Sequence, residues 1–267
     1  EKQVFGSLMA NSLWELREGE SEALEVPMVG ALTERERITA FWKVQRNAMD
    51  LMKRQGDCDG AIPLFKSALE LNPEHEDSRY YLANCYALKG QTEAALEEFA
   101  MLVEVNPRSH RGLKQWGVVR AMSANSVEDL RAAEESLERA LRVNQEETGS
   151  LLALGEVALM LGNYRVAEQR LELACQTNPK AAGGFFLRSY VAWKRGEEQA
   201  AVDLLQSVAE ARGAEWKPEG AVAEGDVVGR MHTEVTPLSR YWNAWDGSLN
   251  LPSTFSALEE FLVSAPS

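Results

Sequence analysis

The sequence predicts an all-α protein in which about five helix–turn–helix pairs stack side by side to form a superhelix. Three observations predict this fold: a period of 34 residues, a recurring pair of small and large apolar residues, and turn-forming residues that keep the same spacing. A helix pair of this size cannot bury its apolar face alone, so successive pairs must cover one another. We therefore expect a solenoid in which each pair contacts its neighbours.

The period is marked most clearly by alanines that are followed, four residues later, by a large apolar residue. The alanines are spaced by 34, 38, 34 and 34 residues, and they are Ala61, Ala95, Ala133, Ala167 and Ala201. Their large partners are Phe65, Phe99, Leu137, Leu171 and Leu205. Residues four apart lie on the same face of a helix, one turn above the other. Alanine then lets a neighbouring helix approach, and this pattern predicts the second helix of each pair.

Glycines and prolines predict where the helices end. The glycines expected between the two helices of a pair are spaced by 34, 72 and 34 residues, and they are Gly56, Gly90, Gly162 and Gly196. An Asn-Pro phrase closes the second helix at Asn72-Pro73, Asn106-Pro107 and Asn178-Pro179. Proline stops a helix because it lacks the backbone N–H and clashes with the preceding turn, whereas glycine accommodates the turn itself.

The third pair is four residues longer than the others, and the extra residues stand between its two helices. Ser126 is followed three residues later by Asp129, a spacing typical of two side chains that cap the start of a helix. We therefore expect the second helix of this pair to be one turn longer than its neighbours.

These positions resemble the tetratricopeptide repeat (TPR) family, whose 34-residue helix pair carries the pattern W-x₂-L-G-x₂-Y…A-x₃-F…P. The residues that match best are Arg79, Leu82, Ala83, Tyr86, Ala95, Phe99 and Pro107 in one repeat, and Leu151, Leu154, Gly155, Ala158, Ala167, Leu171 and Pro179 in another. The resemblance implies a right-handed αα-superhelix, a TPR solenoid, with repeats at 42–75, 76–109, 110–147, 148–181 and 182–215. It also implies a module that binds other molecules.

The residues on either side of the repeats are predicted to cap the solenoid. Residues 1–41 should form an N-terminal helix and a surface loop, and Thr33 with Glu36 should form a capping box that opens the first repeat helix. Residues 216–267 should form a loop and two C-terminal helices. The first of these should begin at Thr236-Pro237 and end at Gly247, because threonine is a good N-cap and proline suits the first helical position. The second should carry the apolar residues Phe255, Leu258, Phe261 and Leu262.

Composition argues against several classes of protein. A net charge of −13 is unfavourable for nucleic-acid binding, which needs a basic surface. No apolar run reaches the roughly 18 residues that span a bilayer. Cys58, Cys85 and Cys175 are far apart and form no C-x-x-C, so we expect buried thiols rather than a disulfide framework or a zinc site. The chain begins at Glu1 rather than Met, which indicates processing or trimming. A removed signal would favour a soluble periplasmic protein, but the compartment stays open. The oligomeric state stays open.

No residue pattern indicates catalysis. The sequence lacks phosphate-binding, dinucleotide-binding, nucleophile-elbow and H-E-x-x-H motifs, so no catalytic residue, metal site or cofactor is predicted. His232 and Glu234 could supply an imidazole and a carboxylate that bind a metal or transfer a proton, but a polar loop is the favoured interpretation. The pairs Glu134-Glu135 and Glu259-Glu260 are interpreted as solvated helix faces, since general acid catalysis needs a buried carboxyl group.

In the TPR family, six positions of the first helix of each repeat face a concave groove. The resemblance therefore implies that this groove is lined by the predicted partner-binding residues Lys43, Arg46, Asn47, Tyr80, Tyr81, Asn84, Arg111, Lys114, Gln115, Leu152, Glu156, Phe186, Tyr190 and Trp193. The first half of this set is basic or carries amides, and the second half is apolar. Arg46, Arg111 and Gln115 fall on positions of the carboxylate-clamp class, but Asp50 and Tyr81 stand where that class has asparagines.

The sequence favours a non-catalytic adaptor that holds a protein or peptide in this groove, including one with an acidic segment that would meet the basic half. Two alternatives stay open. One is a structural or oligomerisation module whose groove is filled by its own tail, with Glu215 to Asp226 as the candidate segment. The other is an accessory domain of an enzyme, a sensor or a metal-handling system. We expect the groove to be open to a partner.

Overall fold

The computed structural model of the chain describes residues 32–213 and 236–265. Over these ranges the secondary structure is helical, with no strand, and the helices form five consecutive packed pairs. The helices of the pairs are α1 (Glu34–Asp50), α2 (Cys58–Leu71), α3 (Glu76–Leu88), α4 (Thr92–Val105), α5 (His110–Met122), α6 (Val127–Val143), α7 (Thr148–Met160), α8 (Tyr164–Thr177), α9 (Ala182–Lys194) and α10 (Glu198–Arg212). Two further helices follow, α11 (Ser239–Asn243) and α12 (Leu251–Ser264). The architecture is the predicted all-α solenoid.

The predicted register of the second helices is confirmed. All five alanines of the repeat pattern and all five of their large partners have 0% of their surface exposed. The fifth pair therefore keeps the register of the other four, although its closing residue is Gly213 instead of proline. Burial of a large side chain in each pair contributes roughly 1.5–3 kcal/mol, so the stack is held by many similar contacts rather than by one.

The turns also follow the prediction. Gly56, Gly90, Gly162 and Gly196 have φ angles of 66°, 71°, 70° and 79°, in the left-handed region. In the third pair this glycine is replaced by a longer turn before Ser126, whose side chain caps α6 while the Asp129 carboxylate accepts from the Ser126 backbone N–H at 3.0 Å. α6 has 17 residues, whereas α4 and α8 have 14 each. The extra length of the third repeat therefore lies mainly in α6.

The first pair begins earlier than the repeat boundary at residue 42 suggests. α1 starts at Glu34, directly after the predicted capping box of Thr33 and Glu36, and continues into a π-helical turn over Leu51–Gln55. Ile38 in the additional turns and Trp42 at the predicted boundary have 49% and 51% of their surface exposed. The expected N-terminal helix falls on residues 1–31, outside the described residues, as does the loop over 214–235 with His232, Glu234 and the stretch from Glu215 to Asp226.

The prediction for the start of the C-terminal helices was wrong. Thr236 does not cap a helix, and its hydroxyl donates to the Glu156 carboxylate of α7 at 2.7 Å. α11 is a five-residue helix over Ser239–Asn243 with Leu238 at its N-cap, and it ends before Gly247. The second predicted helix is confirmed as α12, in which Phe255 and Leu258 are buried. We call residues 236–265 the C-terminal segment.

The register can be tested by a pair of substitutions on one helix. Ala167→Leu should lower the free energy of unfolding by about 1–3 kcal/mol, because Ala167 is fully buried at a helix contact and a larger side chain overpacks it. The control Gln169→Leu, at an exposed position of the same helix, should change it by less than about 0.5 kcal/mol. Urea unfolding measures both. Equal effects at the two positions would contradict the register.

Candidate functional site

We call the groove face the surface formed by the predicted partner-binding positions on α1, α3, α5, α7 and α9. The structure divides this face into two halves. On α7 and α9 four of the five positions are buried, with Leu152, Glu156 and Tyr190 at 0% exposure and Phe186 at 1%, and Trp193 is half-buried. On α1, α3 and α5 most are exposed or half-buried. We call the part on α7 and α9 the covered half and the part on α1, α3 and α5 the open half. They differ because the C-terminal segment lies on the covered half.

A buried carboxylate fixes the C-terminal segment to α7. The Glu156 side chain accepts hydrogen bonds from the Thr236 hydroxyl at 2.7 Å, the Leu238 backbone N–H at 3.2 Å and the Trp242 indole N–H at 3.3 Å. A carboxylate buried without such partners would destabilise the fold by several kcal/mol. The start of the C-terminal segment therefore provides hydrogen-bond partners for Glu156, the one ionisable side chain of α7.

A second carboxylate fixes α12 to α9. Glu259 accepts hydrogen bonds from the Tyr190 hydroxyl and from the Lys194 ammonium group, the latter at 2.6 Å. Burial tends to raise the pKa of Glu259, but the hydrogen bonds from Lys194 and Tyr190 outweigh it, and the pKa lies below its usual range. Burial and the hydrogen bond to Glu259 raise the pKa of Tyr190, so its phenol stays protonated and donates. The prediction that Glu259 is merely solvated was wrong.

Aromatic side chains fill the space between these two polar contacts. The Phe255 ring of α12 packs against Phe186, Tyr190 and Trp193 of α9 with centroid distances of 5.3, 5.6 and 5.4 Å. Trp242 lies on the start of α9, where a Cβ atom at Gly183 would come within 2.7 Å of its ring. Glycine is thus needed at this position for the tryptophan to fit.

The end of α10 completes the attachment. The Arg212 guanidinium donates to the Trp242 carbonyl oxygen and, at 2.9 Å, to the Trp245 carbonyl oxygen. It also lies over the Trp245 ring, 5.1 Å from the centroid. A cation placed against the carbonyl groups at the end of α11 is favourable, since these groups lack partners within the short helix.

The C-terminal segment therefore occupies the surface on which Leu152, Glu156, Phe186 and Tyr190 were predicted to meet a partner. Leu152 is buried in the same apolar cluster as Trp242 and Phe255. Trp193 is half-buried and remains partly accessible. Contact between a partner and the four buried residues would require the C-terminal segment to move away first.

The open half carries a basic stripe along α1 and the turn that follows it. Lys43, Arg46 and Lys53 are exposed and form this stripe, with Asn47 half-buried beside them. The Lys53 ammonium group also lies 5.6 Å from the centroid of the Tyr81 ring on α3. Among the described residues, no carboxylate lies within ion-pair distance of these three cations.

The other predicted cations of the open half are already paired. Arg111 on α5 donates to Glu76 at 3.2 Å and to Asp77, and its guanidinium lies 4.6 Å from the centroid of the Tyr80 ring. Lys114 donates to Glu147 at 3.2 Å. The predicted partner-binding residues Arg111 and Lys114 therefore already have acidic partners within the protein. Both are charge-paired with side chains that lie about one repeat period away in the sequence.

Amides connect α3 to α5 at the centre of the open half. Asn84 is 3% exposed and donates to the Tyr80 carbonyl oxygen at 2.8 Å, while its own carbonyl oxygen accepts from the Gln115 amide at 3.1 Å. Gln115 is half-buried. These amides, together with Tyr80 and Tyr81, form a polar and aromatic surface beside the basic stripe of the open half.

Sequence reasoning missed the residues that hold the C-terminal segment, namely Thr236, Trp242, Arg212 and Glu259. One signal could have indicated them. Glu156 is the single charged residue in the apolar stretch from Leu151 to Leu161, and an acid in a helix that is apolar all round needs buried donors. Its donors lie 80 or more residues away in the sequence, so their identity could not be deduced.

Within residues 32–213 and 236–265, no three histidine, cysteine, aspartate or glutamate side chains come together as they would to hold a metal ion. In the same ranges, no helix is both long and apolar enough to cross a membrane.

Comparison with known sequences agrees with the repeat assignment. Two sequence models, each described as tetratricopeptide repeat, match the chain, one over residues 53–115 and the other over residues 119–182 and 152–215. No curated protein sequence is significantly similar to the chain.

Solved structures with the same fold include TTC0263, a thermophilic TPR protein of Thermus thermophilus, at 25% identity and a TM-score of 0.52, covering 66% of this chain and 93% of that one. YrrB, described as a TPR protein with an unusual peptide-binding site, is 16% identical, with a TM-score of 0.53 and coverage of 68% and 95%. PilF of Pseudomonas aeruginosa is 18% identical, with a TM-score of 0.59 and coverage of 83% and 99%. At these identities the likeness to YrrB and PilF concerns the fold alone.

Removal of the Glu156 carboxylate tests how the C-terminal segment is held. Glu156→Ala leaves the donors of Thr236, Leu238 and Trp242 without their acceptor, at a cost of about 1–3 kcal/mol. The open population of the segment should then rise roughly 5- to 150-fold, and chymotrypsin should cleave at Phe255 and Phe261 correspondingly faster. The control Glu210→Ala removes an exposed carboxylate of α10 and should leave the cleavage rate unchanged. Equal rates in the two variants would contradict the assigned role of Glu156.

Proposed function

The chain belongs to the tetratricopeptide repeat family and is a protein-interaction scaffold, and we propose that it is non-catalytic and holds a peptide or protein partner on the open half of its groove face. In this proposal the partner contacts Lys43, Arg46 and Asn47 of α1, together with residues of α3 and α5. The C-terminal segment keeps the covered half occupied.

The observation that carries the proposal is the C-terminal segment itself. On α7 and α9, the groove face already holds a stretch of polypeptide through a buried carboxylate, a tyrosine hydroxyl and a group of aromatic rings. The same positions on α1, α3 and α5 carry hydrogen-bonding and aromatic side chains, most of which the described residues leave exposed or half-buried. Equivalent positions of a repeat tend to face the same surface, which supports a polypeptide ligand for the open half as well.

The charges of the open half favour an acidic segment. The three cations of the basic stripe all belong to the first repeat, whereas the whole chain has a net charge of −13. A local positive surface on an acidic protein steers an acidic ligand to that place and disfavours binding elsewhere. The rings of Tyr80 and Tyr81 beside the stripe can pack against apolar side chains of the same ligand.

A second candidate function is a structural module whose groove is closed by its own chain. The burial of Glu156, Phe186 and Tyr190 under the C-terminal segment favours this alternative for the covered half. It would extend to the open half if another part of the chain lay on the basic stripe. The two candidates differ in what a probe placed on the open half contacts.

Site-directed photo-crosslinking distinguishes them. A photoreactive amino acid is introduced at Arg46, Tyr81 or Gln115, and at Arg165 of α8 as an exposed control outside the groove face. The scaffold function predicts that the three groove positions crosslink one common segment of another protein in the native cell, and that Arg165 does not. Crosslinks that return to the chain's own residues would support the closed module.

The crosslinked segment, made as a synthetic peptide, then allows a test of the charges. Arg46→Glu should weaken its binding roughly tenfold at low salt, since it replaces an attraction by a repulsion, and the difference should shrink as salt is added. Arg46 is preferred to Arg111 for this test because reversal at Arg111 would also break its ion pairs with Glu76 and Asp77. The matched control is Arg165→Glu. Unchanged affinity in Arg46→Glu would contradict binding on the open half.

A further inference from the structure

Two buried thiols face each other where the first repeat meets the second. Cys58 is the first residue of α2 and is 6% exposed, and Cys85 lies in α3 and is 0% exposed. Their Sγ atoms are 2.8 Å apart, and no disulfide bond joins them. Sulfur atoms at this distance need only a small approach to reach bonding distance, about 2.05 Å.

The start of α2 and the end of α3 lie side by side at the two thiols. Asp57 caps α2 by accepting from the Gly60 backbone N–H at 2.8 Å, directly before Cys58. At the end of α3, the exposed Lys89 donates to Asp59 of α2 at 2.7 Å. The two helix ends are therefore adjacent beside the thiols, and a bond between the sulfurs would not require the helices to move far.

We propose that Cys58 and Cys85 form a disulfide that joins the first repeat covalently to the second, with a small-molecule disulfide such as oxidised glutathione as the oxidant. The third cysteine cannot take part in this bond because it lies elsewhere in the stack. Cys175 is buried between α8 and α9, where its Sγ lies 2.8 Å from the position that a Cβ atom at Gly184 would occupy. The proposal is independent of what binds on the groove face.

The reaction proceeds by two exchanges. The Cys58 thiolate attacks one sulfur of oxidised glutathione, which forms a mixed disulfide and releases one glutathione thiolate. The Cys85 thiolate then attacks the Cys58 sulfur, which forms the Cys58–Cys85 bond and releases the second glutathione thiolate. The two protons of the protein thiols are taken up by the two glutathione thiolates. The protein is oxidised by two electrons, and glutathione disulfide is reduced by the same two.

The native protein should react slowly. Contact with the Cys58 thiol, burial and the neighbouring carboxylates of Asp57 and Asp59 all raise the pKa of the Cys85 thiol, so little thiolate is present at neutral pH. Exchange needs the thiolate and access to it. The bond is therefore expected to form while the chain folds or when the joint between the repeats opens, and to resist reduction once it is buried.

The experiment uses the full chain, unfolded with denaturant and reduced, then refolded in a buffer of reduced and oxidised glutathione so that access does not limit the reaction. The remaining thiols are alkylated under denaturing conditions and located by peptide mapping. Cys175 is the internal control, and the variants Cys58→Ser and Cys85→Ser are refolded in parallel. We expect wild-type protein to lose two thiols, to become lighter by two hydrogen atoms, and to yield one linked peptide pair that contains Cys58 and Cys85.

Two further results complete the test. The oxidised protein should keep the helical circular dichroism of the reduced protein and melt roughly 5 °C or more higher, since the bond restricts the unfolded chain. Each serine variant should lose the linked pair and show no such shift. Full alkylation of Cys58 and Cys85 after refolding, pairing of either with Cys175, or loss of helical structure on oxidation would overturn the proposal.

Discussion

The arrangement of this protein depends on one buried carboxylate. Glu156 lies in the middle of α7, a helix in which the residues from Ser150 to Met160 are all buried. A carboxyl group in that position is tolerated only when hydrogen-bond partners surround it, and the C-terminal segment supplies a hydroxyl, a backbone amide and an indole. The requirement of this single side chain determines where the segment must lie.

The remaining contacts of the segment follow from that position. Once Thr236 and Trp242 are placed beside Glu156, α12 runs along α9, where Phe255 meets three aromatic rings and Glu259 meets Tyr190. Apolar burial supplies most of the stabilisation, and the side chains of Glu156 and Glu259 determine where the C-terminal segment lies. The same attachment leaves the basic stripe uncovered in the described part of the chain. The division of the groove face into two halves is thus a consequence of where the donors of the segment are.

Much of the solenoid could be predicted from the sequence because its determinants are local and recur. Ala167 and Leu171, for example, are a small and a large residue four positions apart on one helix, and both are fully buried as expected. The ion pair of Arg111 with Asp77 was not foreseen, although the two are 34 residues apart, one repeat period, which places them side by side on neighbouring first helices. The period that predicts the fold therefore also contains information on charge pairing across repeats.

The position of the C-terminal segment could not be predicted in this way. Thr236 followed by proline has the local features of a helix start, but its hydroxyl bonds to a residue 80 positions earlier, and this tertiary contact overrides the local preference. Periodicity gives no information on such a contact, because the segment lies outside the repeats. The candidate site is for the same reason only partly predictable: the face was identified, but which half is covered was not.

The Trp242 indole and the Leu238 backbone amide are buried as donors to Glu156. Hydrogen exchange measured residue by residue by nuclear magnetic resonance tests these two contacts, with the exposed Trp42 indole as an internal reference. The Trp242 indole N–H and the Leu238 amide should exchange as slowly as amides in the middle of α9. Exchange of both at the rate of the Trp42 indole, with the repeats still protected, would contradict the two contacts.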